Sequence, residues 1–294
     1  MRAYLKLTKA SIGIFVLVTG LAGYAVSRSV SEPLNYFDII IFLTGLYLVS
    51  SGSFVLNQAQ EWRLDEKMQR TSLRPVPVGE ISPWQAYLIG ILFCISGLFA
   101  LYLLEPIAAG LALFTVVLYN GIYTLYCKKK WAFGAVPGAI PGAMPVVIGY
   151  SVNSSTLLAP DCIYLFLVMF LWQMPHFWAL AVRYKEDYIR GGLPVLPTKI
   201  GVKRTLYHVG LYTFAYAGVG MAAPVFINTH IFYVLIIVPL ALKVVWEFFR
   251  YFRSENSNSW LPFFLWVNLS MLAFICVPAL DKWFFHLMIS TLIS

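Results

Sequence analysis

Residues 36–75 read YFDIIIFLTGLYLVSSGSFVLNQAQEWRLDEKMQRTSLRP. The stretch from Ile39 to Leu56 carries no charge and is long enough to cross a bilayer as a helix. It then turns abruptly polar. If the helix continues to Asp65, then Asn57, Glu61 and Asp65 fall every four residues. Successive members rise about 6 Å and rotate by about 40°, so three oxygen-bearing side chains share one face. Hard oxygen ligands at a helix end suit Mg²⁺, which keeps some waters and binds through carboxylates and substrate phosphates. Arg70 and Arg74, also four apart, are placed to grip the same phosphates in bidentate fashion. The plain alternative is an interfacial helix end rich in solvated charge. Asn57 argues against it, because an amide at the mouth of an apolar span usually has a task.

The rest of the chain repeats the first half of that stretch. Of 294 residues 60% are hydrophobic and 12% charged, too few polar groups to cover a soluble core. Composition thus excludes disorder, secreted disulfide scaffolds and most soluble enzymes. Nine apolar blocks are expected to cross the membrane: 11–27, 36–59, 83–104, 107–127, 134–152, 161–182, 205–226, 231–250 and 260–280. Glu105-Pro106, Ala159-Pro160-Asp161 and the polar run 254–259 punctuate them. Arg2, Lys6 and Lys9 before an apolar stretch ending at Ser27 also fit a signal peptide, but an odd first helix is needed to orient the later spans. The four cysteines show no metal or redox spacing and read as buried small hydrophobes.

A net charge of +8 would point to nucleic acid in a soluble protein. Here it reads as orientation. With the N-terminus inside, 19 of the 21 Lys and Arg fall in inner segments and only Arg28 and Lys282 outside. No nucleic-acid partner is expected. Two inner loops stand out, 60–82 and 183–204, their preceding helices four spans apart. The expected fold is therefore all-α: a single polytopic membrane domain over 1–294, with two four-helix halves and a ninth helix. The halves share little sequence, so the repeat is inferred from topology.

The second loop holds Arg183, Lys185, Glu186, Asp187, Arg190 and Lys199, with Gly191-Gly192, Pro194 and Pro197 turning the chain. Glu186 and Asp187 face about 100° apart on a helix, so one of them is expected to reach a shared metal. Asp187, one turn beyond Arg183 and near Tyr188, is the favoured one. A plain positive-inside loop is the competing reading. Carboxylates and cations on one membrane face above an apolar bundle suit an amphiphile with a diphosphate head and a hydrocarbon tail. Mg²⁺ and cations would stabilise charge on the departing diphosphate, and a dry interior would shield the electron-poor allylic carbon.

These residues resemble the UbiA superfamily of intramembrane prenyltransferases, over roughly 8–285, and within it the branch that farnesylates heme. Three segments carry the resemblance. Asn57, Glu61 and Asp65 followed by Met68-Gln69-Arg70-Thr71 and Arg74-Pro75 look like the first acidic motif. Trp172-Gln173-Met174-Pro175-His176-Phe177-Trp178 resembles the branch's tryptophan–proline–histidine segment, and Asp187-Tyr188 through Pro197 its second motif. Glu61 stands where aspartate is usual, and the second motif lacks a pair of aspartates spaced by four.

The resemblance implies nine helices around a central cavity, farnesyl diphosphate as donor, heme B as acceptor and Mg²⁺ as cofactor. It implies farnesyl transfer to a heme vinyl group, with water supplying a hydroxyl, to give heme O and diphosphate. Asn57, Glu61, Asp65 and Asp187 would be catalytic metal ligands. Arg70, Arg74, Lys128, Lys185 and Lys199 would bind diphosphate, and His176 and Trp172 would meet the heme. Heme A synthase or a terminal oxidase would take the product. A neutral His176 deep in the sixth block would ligate heme iron, position the porphyrin or water, or simply bond two helices together. Pro137, Pro141 and Pro145 among glycines would either bend the fifth helix around a flat ring or let helices pack closely.

Two other functions fit less well. One is prenylation of an aromatic acid or quinone precursor by the same machinery, against which the Pro175-His176-Phe177-Trp178 run speaks. The other is secondary transport, whose ionisable sites lie near the midplane rather than at one face. The absence of an Arg/Ser-rich presequence points to a bacterial inner membrane, with the N-terminus cytoplasmic and the C-terminus outside.

Overall fold

The computed structural model describes residues 2–254 and 259–293, so residues 255–258 of the expected polar linker lie outside the described residues. Long helices stand where the apolar blocks predict them. They are α1 (Ala10–Ser27), α2 (Tyr36–Asp65), α3 (Pro83–Leu104), α4 (Pro106–Lys130), α5 (Ala135–Ser151), α6 (Pro160–Arg183), α7 (Val202–Met221), α8 (Ile231–Arg253) and α9 (Trp260–Ile293). Among the described residues seven are long and apolar enough to cross a membrane. The exceptions are α5, with 17 residues, and α7, which carries Lys203, Arg204 and His208 in its first two turns. Length and composition by themselves thus support seven of the nine expected crossings.

Local chemistry sets the helix starts. Ser82 and Gln85 form a reciprocal capping box on α3, with Pro83 at the first helical position. Glu105 caps α4 by accepting from the Ile107 amide, followed by Pro106. Large apolar side chains such as Ile40, Leu88, Phe99, Leu211, Leu235 and Leu265 remain exposed around the outside. In water such a surface would drive aggregation; facing lipid it is in its own solvent.

Close backbone approach holds the bundle together. A Cβ on Gly149 of α5 would overlap the carbonyl oxygen of Gly20 in α1, and one on Gly97 would lie 2.6 Å from the Gly45 oxygen. Pro141 and Pro145 are buried inside the same α5. Close packing of helices is thus one use of that glycine–proline run.

Contacts sort the polar groups to two ends. At one end lie Glu61, Arg74, Lys128, Asp187 and Arg183, linked from α2 through α4 and α6 to Trp260 at the start of α9. At the other lie Arg28, Asn153, Asp161, His230, Asp281 and Lys282.

Candidate active site

Helix α2 does continue to Asp65, and the row of three forms as the spacing predicts. Asn57, Glu61 and Asp65 are 2%, 3% and 2% exposed, so they face the bundle and not solvent. Burying two carboxylates in this way demands partners. Glu61 Oε2 accepts from Lys128 Nζ at 2.7 Å and from Asn57 Nδ2 at 2.9 Å. Asp65 Oδ2 accepts from Arg74 at 2.6 Å. Glu61 Oε1 is buried without a hydrogen-bond partner.

The partner surface is the lower part of α4, which from Val117 to Cys127 is wound as a π-helix. Ser53 donates to Asn120 at 2.6 Å, Asn57 to Thr124 at 3.2 Å, and Lys128 reaches Glu61. All three pairs are 67 residues apart. A constant offset means that α2 and α4 run parallel, with α3 returning between them. On an α-helix a four-residue row drifts sideways by about 40° per step; a wider i→i+5 turn changes that drift and keeps Asn120, Thr124 and Lys128 against α2. Asn120 also donates to the Ser53 carbonyl at 3.0 Å, closing the rung from both sides.

A residue not singled out as a site candidate from sequence joins this group. Lys9, just before α1, is the sole non-glycine among the described residues with positive φ, at 48°. Its ammonium lies 5.3 Å over the Phe54 ring. Burial, aided by Arg74 and Lys128, pushes its pKa down to about 7, against the pull of Glu61 and Asp65. Sequence offered only one signal for it, a charge at the edge of the first apolar block.

The second loop meets the first through Asp187. Asp187 is buried while Glu186 is exposed. Its Oδ1 accepts from the Gln69 amide at 3.1 Å and its Oδ2 from the Arg70 amide at 3.2 Å, and Arg190 bonds Oδ1. Burial alone would raise its pKa; Arg190 and the Arg70 and Gln69 amides together hold the carboxyl below the usual carboxylate range. Asp187 thus clasps the loops together. Among the described residues no three His, Cys, Asp or Glu gather as a metal-holding group, and the Asp187 carboxylate is engaged by Arg190 and the Gln69 and Arg70 amides.

Arg70 and Arg74 also part company. The chain leaves the helix after Asp65, so residues four apart no longer face one way. Arg74 turns to Asp65, whereas the Arg70 guanidinium lies 5.5 Å over the Tyr184 ring. There it opens on a cavity of about 430 Å³ bounded by Arg183, Tyr184, Glu186, Asp187 and Arg190. Lys185 is half-buried at the start of the Lys185–Arg190 helix, and Lys199 is exposed at the end of Leu196–Lys199.

His176 lies between α6 and α9. Its ring is 4.7 Å from Trp172 and 4.8 Å from Phe264, and the Asn268 side chain reaches it. Nδ1 of His176 and Nε1 of Trp172 are buried without a partner. Unpartnered buried donors are uncommon and mark a place where a ligand or water belongs.

Two carboxylates and an amide one turn apart, one carboxylate oxygen unpartnered, are a donor set that Mg²⁺ accepts; it commonly takes one or two carboxylates and leaves other positions to water and phosphate. With Lys9, Arg74 and Lys128 beside them, the residues define a helical membrane protein that handles a phosphorylated amphiphile. The chain belongs to the UbiA prenyltransferase family, whose pattern matches residues 16–269. It is 48% identical over 285 residues to the protoheme IX farnesyltransferase of Bdellovibrio bacteriovorus, covering 97% of this chain and 98% of that one. With the protoheme IX farnesyltransferase of Aquifex aeolicus it shares 35% over 270 residues, 90% of each. In fold it is similar to a digeranylgeranylglyceryl phosphate synthase (TM-score 0.74, 19% identity, 95% of this chain and 98% of that one). It is also similar to a UbiA homologue from Archaeoglobus fulgidus solved with DMAPP and Mg²⁺ (TM-score 0.69, 17% identity, 94% and 99%).

Proposed function

We propose that this protein transfers the farnesyl group of farnesyl diphosphate to a vinyl group of heme B. Water adds in the same conversion, and the products are heme O and diphosphate. The observation that carries the prenyl-transfer reading is the buried row Asn57–Glu61–Asp65 with Lys128 and Arg74 paired onto it at one end of an apolar bundle. The acceptor is supported by the likeness to protoheme IX farnesyltransferases over nearly the whole chain and by the unpartnered His176 and Trp172 nitrogens.

In this reading Asn57, Glu61 and Asp65 would hold Mg²⁺, and the ion would supply positive charge to offset that of the diphosphate. Lys128 and Arg74 add fixed positive charge at the same place, where a low-dielectric surrounding strengthens it. Lys185 and Lys199 add to the positive field near the entrance. Asp187 acts by holding the Gln69–Arg70 backbone against the second loop, so that the first motif keeps its shape. The apolar bundle excludes water from the allylic carbon until the vinyl group reacts. The protein is a single membrane domain over 1–294 with nine crossings, counting α5 and α7. It sits in a bacterial inner membrane with the N-terminus cytoplasmic and the C-terminus outside, as the segregation of basic residues supports. Heme O then leaves for heme A synthase or a terminal oxidase.

Incubating the purified protein with farnesyl diphosphate, Mg²⁺ and either heme B or 4-hydroxybenzoate tests the reading by chromatography and mass spectrometry of the products. Heme O is the expected product. Unchanged heme B alongside prenylated 4-hydroxybenzoate would overturn the acceptor, and no diphosphate release with any acceptor would overturn the reaction class.

A further inference from the structure

Arg183 closes α6, and its guanidinium lies 5.8 Å over the Trp260 ring. From there aromatic rings continue along the α6–α9 contact. Trp260 stacks on Phe264 at 4.9 Å and 18°, Phe264 lies 4.8 Å from His176, and His176 lies 4.7 Å from Trp172. Trp260 Nε1 donates to the Ala179 carbonyl at 3.0 Å, which fixes this wall to α6. At its outer end stands the cavity bounded by Arg70, Arg183, Tyr184, Glu186, Asp187 and Arg190, in which the Asp187 carboxylate is already engaged by Arg190 and two backbone amides. Arg190 is engaged with Asp187, but Arg70 and Arg183 make no ion pair among the described residues. Both guanidiniums rest on ring faces, which orients their donors without occupying them.

We propose that this cavity is the carboxylate clamp of the acceptor site. Arg183 and Arg70 take the two carboxylate arms of a flat apolar macrocycle, and the Trp260–Phe264–His176–Trp172 wall receives its ring. The inference rests on the heme B reading and names the part of the site that orients the acceptor. Guanidinium forks match carboxylates bidentately, so two of them fix the edge of a planar ligand and its rotation. From Arg183 to His176 is seven residues, about 10 Å along a helix. That span is comparable to the reach from the centre of a porphyrin to the ends of its propionate arms. The arrangement puts the anionic edge of the acceptor at the charged end and its ring in the apolar interior, beside the unpartnered His176 Nδ1. It also separates two anion sites: diphosphate at Glu61–Asp65–Lys128, carboxylates at Arg70–Arg183.

The test titrates the detergent-solubilised protein with heme B and with heme B dimethyl ester, following the Soret band, and adds KM for farnesyl diphosphate. Wild-type protein is expected to bind heme B at least tenfold more tightly than the ester. Arg183→Met should lose about tenfold for heme B and nothing for the ester, with Arg183→Lys between. KM for farnesyl diphosphate should not move. Equal wild-type affinity for acid and ester would overturn the clamp, whether or not the variant folds. So would an Arg183→Met loss shared equally by both ligands, or a shift confined to farnesyl diphosphate. Absence of any saturable Soret change with heme B in the wild type would instead sink the heme reading itself, and the clamp with it.

Discussion

The two ends of the bundle use charge differently. At the end opposite the candidate site, charged side chains are spent on helix termini. Lys282 Nζ donates to the Val26 and Arg28 carbonyls at 2.7 Å each, and Trp283 Nε1 to the Ala25 carbonyl at 3.0 Å. These are the carbonyls left without partners where α1 ends. Asp281, fully buried, accepts from the amide and ring of His230 at the start of α8. Such contacts close the ring of helices between the first, eighth and last. At the site end carboxylates instead meet cations, Glu61 with Lys128 across α2 and α4 and Asp65 with Arg74 of the loop that follows α2, while among the described residues Arg70 and Arg183 join no ion pair. Each end leaves one buried carboxylate oxygen without a hydrogen bond, Asp281 Oδ1 and Glu61 Oε1, so the ends differ in what their cations do: Lys282 caps backbone carbonyls, whereas Lys128 and Arg74 meet carboxylates.

Substitutions can break that division. The largest effect is expected from Asp65→Ala: turnover should fall at least about a thousandfold. Thermal unfolding in detergent should change little, since its partner Arg74 is partly exposed and returns to water. An Asp65→Ala enzyme with near wild-type turnover would place the metal elsewhere. Lys128→Met comes next, with kcat/KM for farnesyl diphosphate down by about a hundredfold. It leaves Glu61 buried without its cation, so the protein should also lose about 3 kcal/mol.

At the other end the balance reverses. Lys282→Met removes two charge-assisted hydrogen bonds and should cost about 2 kcal/mol of stability while leaving kcat unchanged. A kinetic defect there would dissolve the contrast between the ends. Gly149→Val tests the packing that carries both, and should cost about 3 kcal/mol through forced separation of α1 and α5. The smallest effect concerns pH. Asp187 has a folded pKa below its unfolded value, so its clasp is fully present above the ordinary carboxylate range and is lost as pH falls through the depressed folded value. Hydrogen exchange at the Gln69 and Arg70 amides, corrected for intrinsic rates, should show protection fading on acidification and already absent in Asp187→Ala.

Much of the molecule is legible from local pattern. The apolar blocks forecast the long helices, and the four-residue spacing of Asn57, Glu61 and Asp65 forecast a shared face. Each of these depends on one helix and its period. Asn120 and Thr124 carried no comparable signal, since a polar residue in an apolar run has several uses. Their roles come from the parallel register of α2 and α4. Where Arg70 and Arg74 point depends on tertiary structure for a related reason: residues four apart face one way only while the chain stays helical.

Periodicity and composition were enough for the all-helical membrane architecture and the acidic row, because both stem from backbone geometry and the cost of placing polar groups in hydrocarbon. Folding alone settled which cation meets which carboxylate, that Asp187 holds backbone amides, and that the glycine–proline helix packs tightly against α1. Those outcomes depend on distances between segments far apart in the chain, and such distances are set by how whole helices fit together.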